Sequence, residues 1–313
     1  MTSTGDADSP ESYARLRVVK ARHSGRWVAC GLILIIAALV VYAMFTNKNF
    51  QWAVVGQYLF DPTILGGLMN TLVLTLVSMV MGIVLGVVLA VGRLSPNPVL
   101  SWSAALYSWF FRGTPLLVQL LFWYFLAALI PKFVIGIPFG PEFFAIDTNT
   151  LISAFTAAIL GLGLNEAAYM SEIVRSGINA VSPGQTEAAK AIGMNRIETM
   201  WRIILPQAMR VIIPPTGNET IGMLKYTSLV IVIGYAELMT TVTTIYARTY
   251  QNIPLLIVAA IWYLVITALL SIAQFYIERY YARGFRPHTP AKTSTPKSPP
   301  QSPSLIATGG AHV

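Results

Sequence analysis

Charge is scarce in this chain: Asp, Glu, Lys and Arg make up 11% of its 313 residues, against roughly 25% in a soluble globular chain. Cysteine is nearly absent. Cys30 stands alone inside an apolar run, so no disulfide framework can form. The three histidines, His23, His288 and His312, all fall in the tails, which leaves no clustered ligand set for zinc or haem. No GxxxxGK[ST] occurs, so the loop whose backbone amides cradle phosphates is missing and any use of ATP must come from a partner. A soluble enzyme, a metalloprotein and a P-loop ATPase are thereby excluded, and nothing calls for a cofactor. What is abundant is apolar surface, with 55% hydrophobic residues and a mean hydropathy of +0.63, the composition of a membrane protein.

Crossing about 30 Å of hydrocarbon takes roughly 20 mostly apolar helical residues, because every backbone polar group must be satisfied within the segment. Uncharged stretches run from Trp27 to Phe45, Thr63 to Gly92, Gly113 to Pro131, Thr148 to Asn165 and Gln251 to Ile277. A sixth, from about Gly217 to Ile245, is interrupted by Glu219, Lys225 and Glu237. The distribution of basic residues decides in its favour. With six spans and both termini on one side, that side holds 16 of the 21 Lys and Arg residues. They lie before the first span, at Arg93, in the loop after the fourth span, and at the C-terminus. Only Lys48, Lys132 and Arg248 face the other way, while Arg112 and Lys225 lie in or at the edge of spans. The positive-inside rule therefore predicts six helices with both termini cytoplasmic. The net charge of +8 thus reports membrane orientation, with no nucleic acid implied.

The chain divides into a basic cytoplasmic segment (1–26), a first transmembrane helix (27–46), a membrane core (63–283) and a Pro/Ser-rich tail (287–313). The tail carries too little apolar surface to offset the entropy of ordering and is predicted to be disordered, as are residues 1–14. The first span also resembles a secretory signal, but 19 apolar residues are long for that purpose and no small-x-small site follows Phe45. The outward stretch from Pro131 to Asp147 is rich in Gly, Pro and aromatic residues, which suits a short interfacial element. Tryptophans and tyrosines such as Trp52, Trp123, Trp262 and Tyr276 read as interfacial anchors or packing residues.

The most informative segment is the loop from Ser182 to Pro215. Ser182 suits the cap of a first helix, Pro183 its first position, and Gly193 the left-handed residue that ends it. Asn195 and Glu198 then approach a capping box, and Ile197, Met200, Trp201 and Ile204 recur at helical spacing until Leu205 and Pro206, where the run is predicted to stop. Taken physically, this amphipathic helix fits equally a surface helix on the cytoplasmic leaflet, with Arg196, Arg202 and Arg210 near lipid phosphates, and a docking site for another protein.

Spacing tilts the balance. Glu187-Ala188-Ala189, three residues, Gly193, nine residues, Ile203, one residue, Leu205 and Pro206 resemble, at every position, the EAA motif of permease subunits of bacterial ABC importers. In that family the motif forms the coupling helix that sits in a groove of the ATP-hydrolysing subunit. The likeness extends from Thr63 to Tyr281, and GTPLLVQ (113–119) and LKYTSL (224–229) resemble the polar amino acid branch. The resemblance implies an all-α polytopic membrane fold with a five-helix type I importer core plus one N-terminal helix. It implies ABC ATPase subunits, an extracytoplasmic substrate-binding protein, and a second permease copy or a sister permease as partners in a bacterial inner membrane. The predicted ATPase-coupling residues are Glu187, Ala188, Ala189, Gly193, Ile203, Leu205 and Pro206. A bulky residue at Gly193 is predicted to uncouple transport.

Ionisable groups inside a bilayer cost at least a few kcal/mol and by default face protein or a water-filled path. Arg112, beside Gly113-Thr114-Pro115, is read at the cytoplasmic end of the third span, where snorkelling accounts for it. Glu219 suits a helix start, and Lys225 needs a partner on another helix. Asn165 and Glu166 end a Gly-rich stretch and suit either a polar pair between helices or a substrate path. With Asn70, Thr71, Lys225, Thr227 and Ser228 they form the candidate path for a zwitterion, although Ser and Thr in membrane helices often bond their own preceding carbonyls. A permease for another small solute, an ATP-independent channel or carrier, and a polytopic enzyme are the competing readings. The complete loop motif, the absence of a repeated half and the lack of a catalytic constellation weigh against them.

Overall fold

The computed structural model describes residues 24–137 and 142–281. The basic segment up to residue 23, residues 138–141 and residues 282–313 with the Pro-rich tail lie outside the described residues.

The first helix, α1 (Ser24–Thr46), carries an apolar window from Val28 to Thr46 of which nothing is buried within the chain. Its end is tied by Trp52, whose indole Nε1 donates to the Met44 carbonyl at 3.0 Å and whose ring stacks on Phe45. A short helix α2 (Trp52–Leu59) leads to α3 (Pro62–Arg93). The start of α3 is set by Asp61, which accepts from the Thr63 amide at 2.8 Å, and by Pro62 at the first position. At 32 residues, α3 is about 48 Å long, more than a bilayer core needs when upright.

The third crossing differs from the predicted stretch of 113–131. It begins at Pro98 as α4 (Pro98–Gly113), breaks at Thr114, and resumes as α5 (Leu116–Tyr124) and α6 (Leu126–Leu129). Pro115 causes the break, because its ring disfavours helical backbone at the preceding residue, and Thr114 is extended at φ −108, ψ 144. An otherwise helical architecture then includes one hairpin, β1 (Lys132–Gly136) against β2 (Glu142–Asp147), antiparallel with a register shift between Ile135 and Gly136.

After the short turn α7 (Thr148–Leu151), helix α8 runs over Ala154–Asn179. It continues well past the predicted limit at Asn165. The apolar count stopped at charges that the fold accommodates: Glu166 is buried, and Glu172 pairs with Arg175 and with Arg93 at 3.8 Å. Glycines on α3 bring α8 close. A Cβ at Gly82 would meet Glu166 Cγ at 2.5 Å, and one at Gly86 would meet Met170 Cβ at 2.5 Å. On the far side of α8, a Cβ at Gly177 would lie 2.3 Å from Ile212 Cγ1.

The loop that follows holds α9 (Pro183–Ala191), α10 (Arg196–Thr199) and a π-helical turn over Met200–Ile204. The predicted stop at Leu205 and Pro206 is absent. Helix α11 (Leu205–Tyr226) starts there without interruption and carries Pro214 and Pro215 inside it. The wider turn explains this: the Leu205 amide bonds the Met200 carbonyl, five residues back, and Pro206 occupies an opening position where no amide donor is required. A 3₁₀ stretch (Thr227–Ile233) and Gly234 at φ +72 lead to α12 (Leu238–Thr249), and α13 (Asn252–Tyr281) ends the described chain.

Among the described residues, α1, α3 and α13 are each long and apolar enough to cross a membrane. The helices from Arg196 to Ile233 and from Leu238 to Thr249 meet that criterion together, as a pair bent by 48° at the break between them. The broken α4–α5 and the charge-bearing α8 complete an all-α polytopic membrane fold. Three apolar clusters hold it together. One joins α3, α5 and α8 around Leu74, Leu120 and Leu162; a second joins α2, α3, α12 and α13 around Ile64, Leu238 and Leu255; the third joins α3, α8 and α11 around Met170, Ala208 and Ile212.

Candidate functional site

Two groups of residues stand out: the loop between α8 and α11, and the polar side chains distributed along the membrane helices.

In the loop, Gly193 has φ +83, and two hydrogen bonds close the turn around it. The Gly193 amide bonds the Lys190 carbonyl at 3.0 Å, and the Met194 amide bonds the Ala189 carbonyl at 3.0 Å. This is the Schellman arrangement that satisfies the last carbonyls of a helix and requires a left-handed residue. Two residues later the capping box is complete, with the Glu198 amide on Asn195 Oδ1 at 2.9 Å and the Asn195 amide on Glu198 Oε2 at 3.0 Å. Ser182 stands at the cap of α9, but its hydroxyl makes no capping bond. Gln207 ties α9 to α11 through Gln185 Oε1 at 3.3 Å.

Glu187, Ala188, Gly193 and Pro206 are exposed, and Ile203 and Leu205 are half-buried. Ala189 is buried against the chain itself, so close approach from outside is available at Ala188 and not at Ala189. Ile197 stands on the predicted apolar face, whereas Ile192 is a side chain that sequence reasoning missed. Ile192 and Ile197 stand 76% and 72% exposed on either side of the glycine turn. The signal for Ile192 was present: isoleucines flanking a left-handed glycine and a cap cannot both be buried by helices this short.

Along the membrane helices the seven path candidates do not form one cluster. Asn165 belongs to the break in the third crossing. Its Nδ2 donates to the Phe111 carbonyl at 2.9 Å, and Gln119 Nε2 donates to the same carbonyl at 2.9 Å and to Thr114 Oγ1 at 2.7 Å. These amides satisfy the carbonyl that the helix break set free, which non-helical backbone at membrane depth demands. Arg112 sits beside this break, opposite the middle of α8, with its Cζ 5.5 Å from the Tyr169 ring centroid. That corrects its predicted place at the cytoplasmic end of the span, and the reason is that α4 starts fourteen residues earlier, at Pro98.

Glu166 is 2% exposed and packs on Gly82, and its Oε1 has no hydrogen-bond partner. Ser78 Oγ, one turn from Gly82 on α3, is the other buried polar atom without one among the described residues. Nearer the hairpin, Glu237 is fully buried and saturated. It accepts from the Met239 and Thr240 amides at 2.9 and 2.6 Å, from Thr240 Oγ1 at 2.9 Å and from the Tyr263 hydroxyl at 3.2 Å. Thr71 joins this clamp, since its hydroxyl accepts from the Leu238 amide at 3.0 Å, and Asn70 Nδ2 donates to the Ala236 carbonyl at 2.8 Å. Thr227 is buried and bonds the Leu224 carbonyl, whereas Ser228 bonds the Lys225 carbonyl. Lys225 is exposed and makes no ion pair among the described residues. Nor do any three His, Cys, Asp or Glu side chains among the described residues come together as metal ligands.

Comparison with known proteins assigns the class. The family described as binding-protein-dependent transport system inner membrane component matches residues 82–283. This chain belongs to that permease family. The arginine transport system permease ArgU of Corynebacterium glutamicum is 50% identical over 265 residues, covering 84% of this chain and 82% of its own. The L-cystine transport system permease TcyB of Bacillus subtilis is 38% identical over 238 residues, covering 76% of this chain and 94% of its own. Among solved structures, an amino acid ABC transporter crystallised with histidines superposes at a TM-score of 0.60 with 37% identity, over 71% of this chain and 95% of the other. The methionine ABC transporter MetNI shares the fold at a TM-score of 0.58 and 19% identity.

The family match takes in the glycine turn, the capping box and the π turn. In the permease the helix Arg196–Thr199, the π turn and α11 follow one another without a break in the helical backbone.

Proposed function

We propose that the permease carries a cationic amino acid of the arginine type, delivered by an extracytoplasmic binding protein and driven by separate ABC ATPase subunits. Both termini lie in the cytoplasm on this reading, which the distribution of basic residues supports. The cationic substrate is supported by the 50% identity to the arginine permease ArgU, and the drive by separate ATPases is supported by the loop from Ser182 to Pro206, with its exposed Glu187, Ala188, Ile192 and Ile197 and its unbroken connection into α11. ATP-bound partners must favour the outward-open state through differential contacts with these residues, since a partner binding both states equally shifts nothing.

Of the path candidates, Glu166 is assigned the cationic end of the substrate, because its Oε1 is unmet and it makes no ion pair among the described residues. Asn70, Asn165, Lys225 and Ser228 contribute polar groups along the route, and Thr71 and Thr227 hold its walls. A second permease, identical or sister, completes the translocation unit.

The test is reconstitution of the permease with its co-purified ATPase and binding protein in proteoliposomes. ATP-dependent uptake of labelled arginine is expected, competed by lysine and ornithine more strongly than by glutamine, glutamate or cystine. Glu166→Gln is expected to lower uptake while leaving assembly intact. Uptake without ATP, or competition indifferent to side-chain charge, would overturn the assignment.

A further inference from the structure

Away from the polar side chains, a groove of about 780 Å³ opens between α3, α8 and the joint where the π turn enters α11. Its walls run from Ile83 to Leu94 along α3 and are closed by Val174, Trp201, Met209 and Ile212. The lining offers the hydroxyls of Ser95 and Thr216 and no charge, so a polar amino acid gains nothing there. The stretch from Ile83 to Leu94 is about 16 Å long at about 1.5 Å per residue, which matches one leaflet of a core about 30 Å thick. The groove is therefore as deep as an acyl chain is long.

Its loop end is marked by arginines. Arg93 lies at the end of the α3 wall, between Val91 and Leu94, and is engaged with Glu172 at 3.8 Å. Arg202, next to Trp201, and Arg210, next to Met209, are exposed and make no ion pair among the described residues. Trp201 itself is 67% exposed, an aromatic ring at the level where interfacial rings settle.

We propose that the groove binds an anionic phospholipid, with an acyl chain between α3 and the α11 joint and the headgroup on Arg202 and Arg210. One wall is the closely packed pair α3–α8, and the other is the continuous joint where the loop enters α11, so the lipid tail packs against that joint. Any effect on transport rests on the function proposed above; the binding does not.

Tryptophan quenching in nanodiscs tests the site on the whole complex. Phosphatidylglycerol or phosphatidylcholine with brominated tails is titrated in, and the signal of the groove is the quenching that Trp201→Phe removes. Half-quenching is expected at a phosphatidylglycerol fraction at least about fivefold below that for phosphatidylcholine, the contribution of one basic residue near an anionic surface. Arg202→Gln with Arg210→Gln is expected to equalise the two lipids, and Val87→Phe with Val91→Phe to remove the Trp201 signal for both. The charge variants alter exposed side chains, so they report even if the filled groove fails to fold. Equal quenching by both lipids in the native chain overturns the proposal. So does a groove shielded from both, with a cysteine placed at Val91 in a Cys30→Ser background cross-linking to a second permease. Because the readout requires no transport, lost uptake with retained phosphatidylglycerol preference would refute only the importer reading, and normal uptake with no preference only the lipid site.

Discussion

Gly193 provides the sharpest test of how the loop works. Its φ of +83 lies in the left-handed region, yet nothing lies within 4 Å of a Cβ built there. A side chain at this position is therefore opposed by its own backbone and meets no neighbour within the chain, so size is not what the fold resists. An L-residue other than Asn or Asp pays about 1–2 kcal/mol to hold this conformation, which reduces the population of the native turn about 5- to 30-fold at about 1.4 kcal/mol per decade. Asparagine tolerates the region better and β-branched residues worse. Substrate-stimulated ATPase activity per assembled complex is expected to fall in the order Gly, Asn, Ala, Val, with Trp close to Ala. The assay is a titration of binding protein and substrate against the purified complex, with uptake measured in parallel. If activity instead tracks side-chain volume, with Ala near native and Asn as poor as Trp, the glycine is needed for contact with the ATPase and the backbone argument fails.

The remaining predictions concern packing and polar closure. Gly82→Ala and Gly86→Ala each force a Cβ to 2.5 Å from α8 and are expected to cost about 1–3 kcal/mol by overpacking. Gly66→Ala on the same helix meets nothing within 4 Å and is the neutral control, all three being read by detergent unfolding titrations. Glu237→Ala strands two amides and two hydroxyls that the carboxylate now accepts from; at about 1–3 kcal/mol per unmet buried donor, the loss in the same titration should exceed that of Glu237→Gln, which keeps one acceptor oxygen. Asn195→Ala removes half of the capping box and should cost about 1 kcal/mol of loop stability, seen as faster amide exchange over 195–199 with α3 unchanged.

Much of the loop was legible in the sequence because its determinants are local. A left-handed glycine, an Asn-x-x-Glu box and a proline at a first helical position each act over a few residues, and the structure places all three as expected. The membrane class was legible too, since a count of charges and apolar runs needs no tertiary information. What composition could not reveal is which charges the fold absorbs. Glu166, Glu172 and Arg175 ended the predicted fourth span, but packing on Gly82 and pairing with Arg93 carry α8 through to Asn179. Pro206 read as a stop because a one-dimensional reading has no place for a π turn that absorbs the missing donor. The partners of Thr71 are not readable from its neighbours, because the Glu237 carboxylate and the Leu238 amide that it meets lie more than 160 positions away in sequence. Local backbone geometry and membrane residence are readable along the chain, since the first depends on neighbours a few residues away and the second on the length of apolar runs. Which polar side chains are saturated and which are left open is fixed by the folded arrangement, because their partners come from other helices.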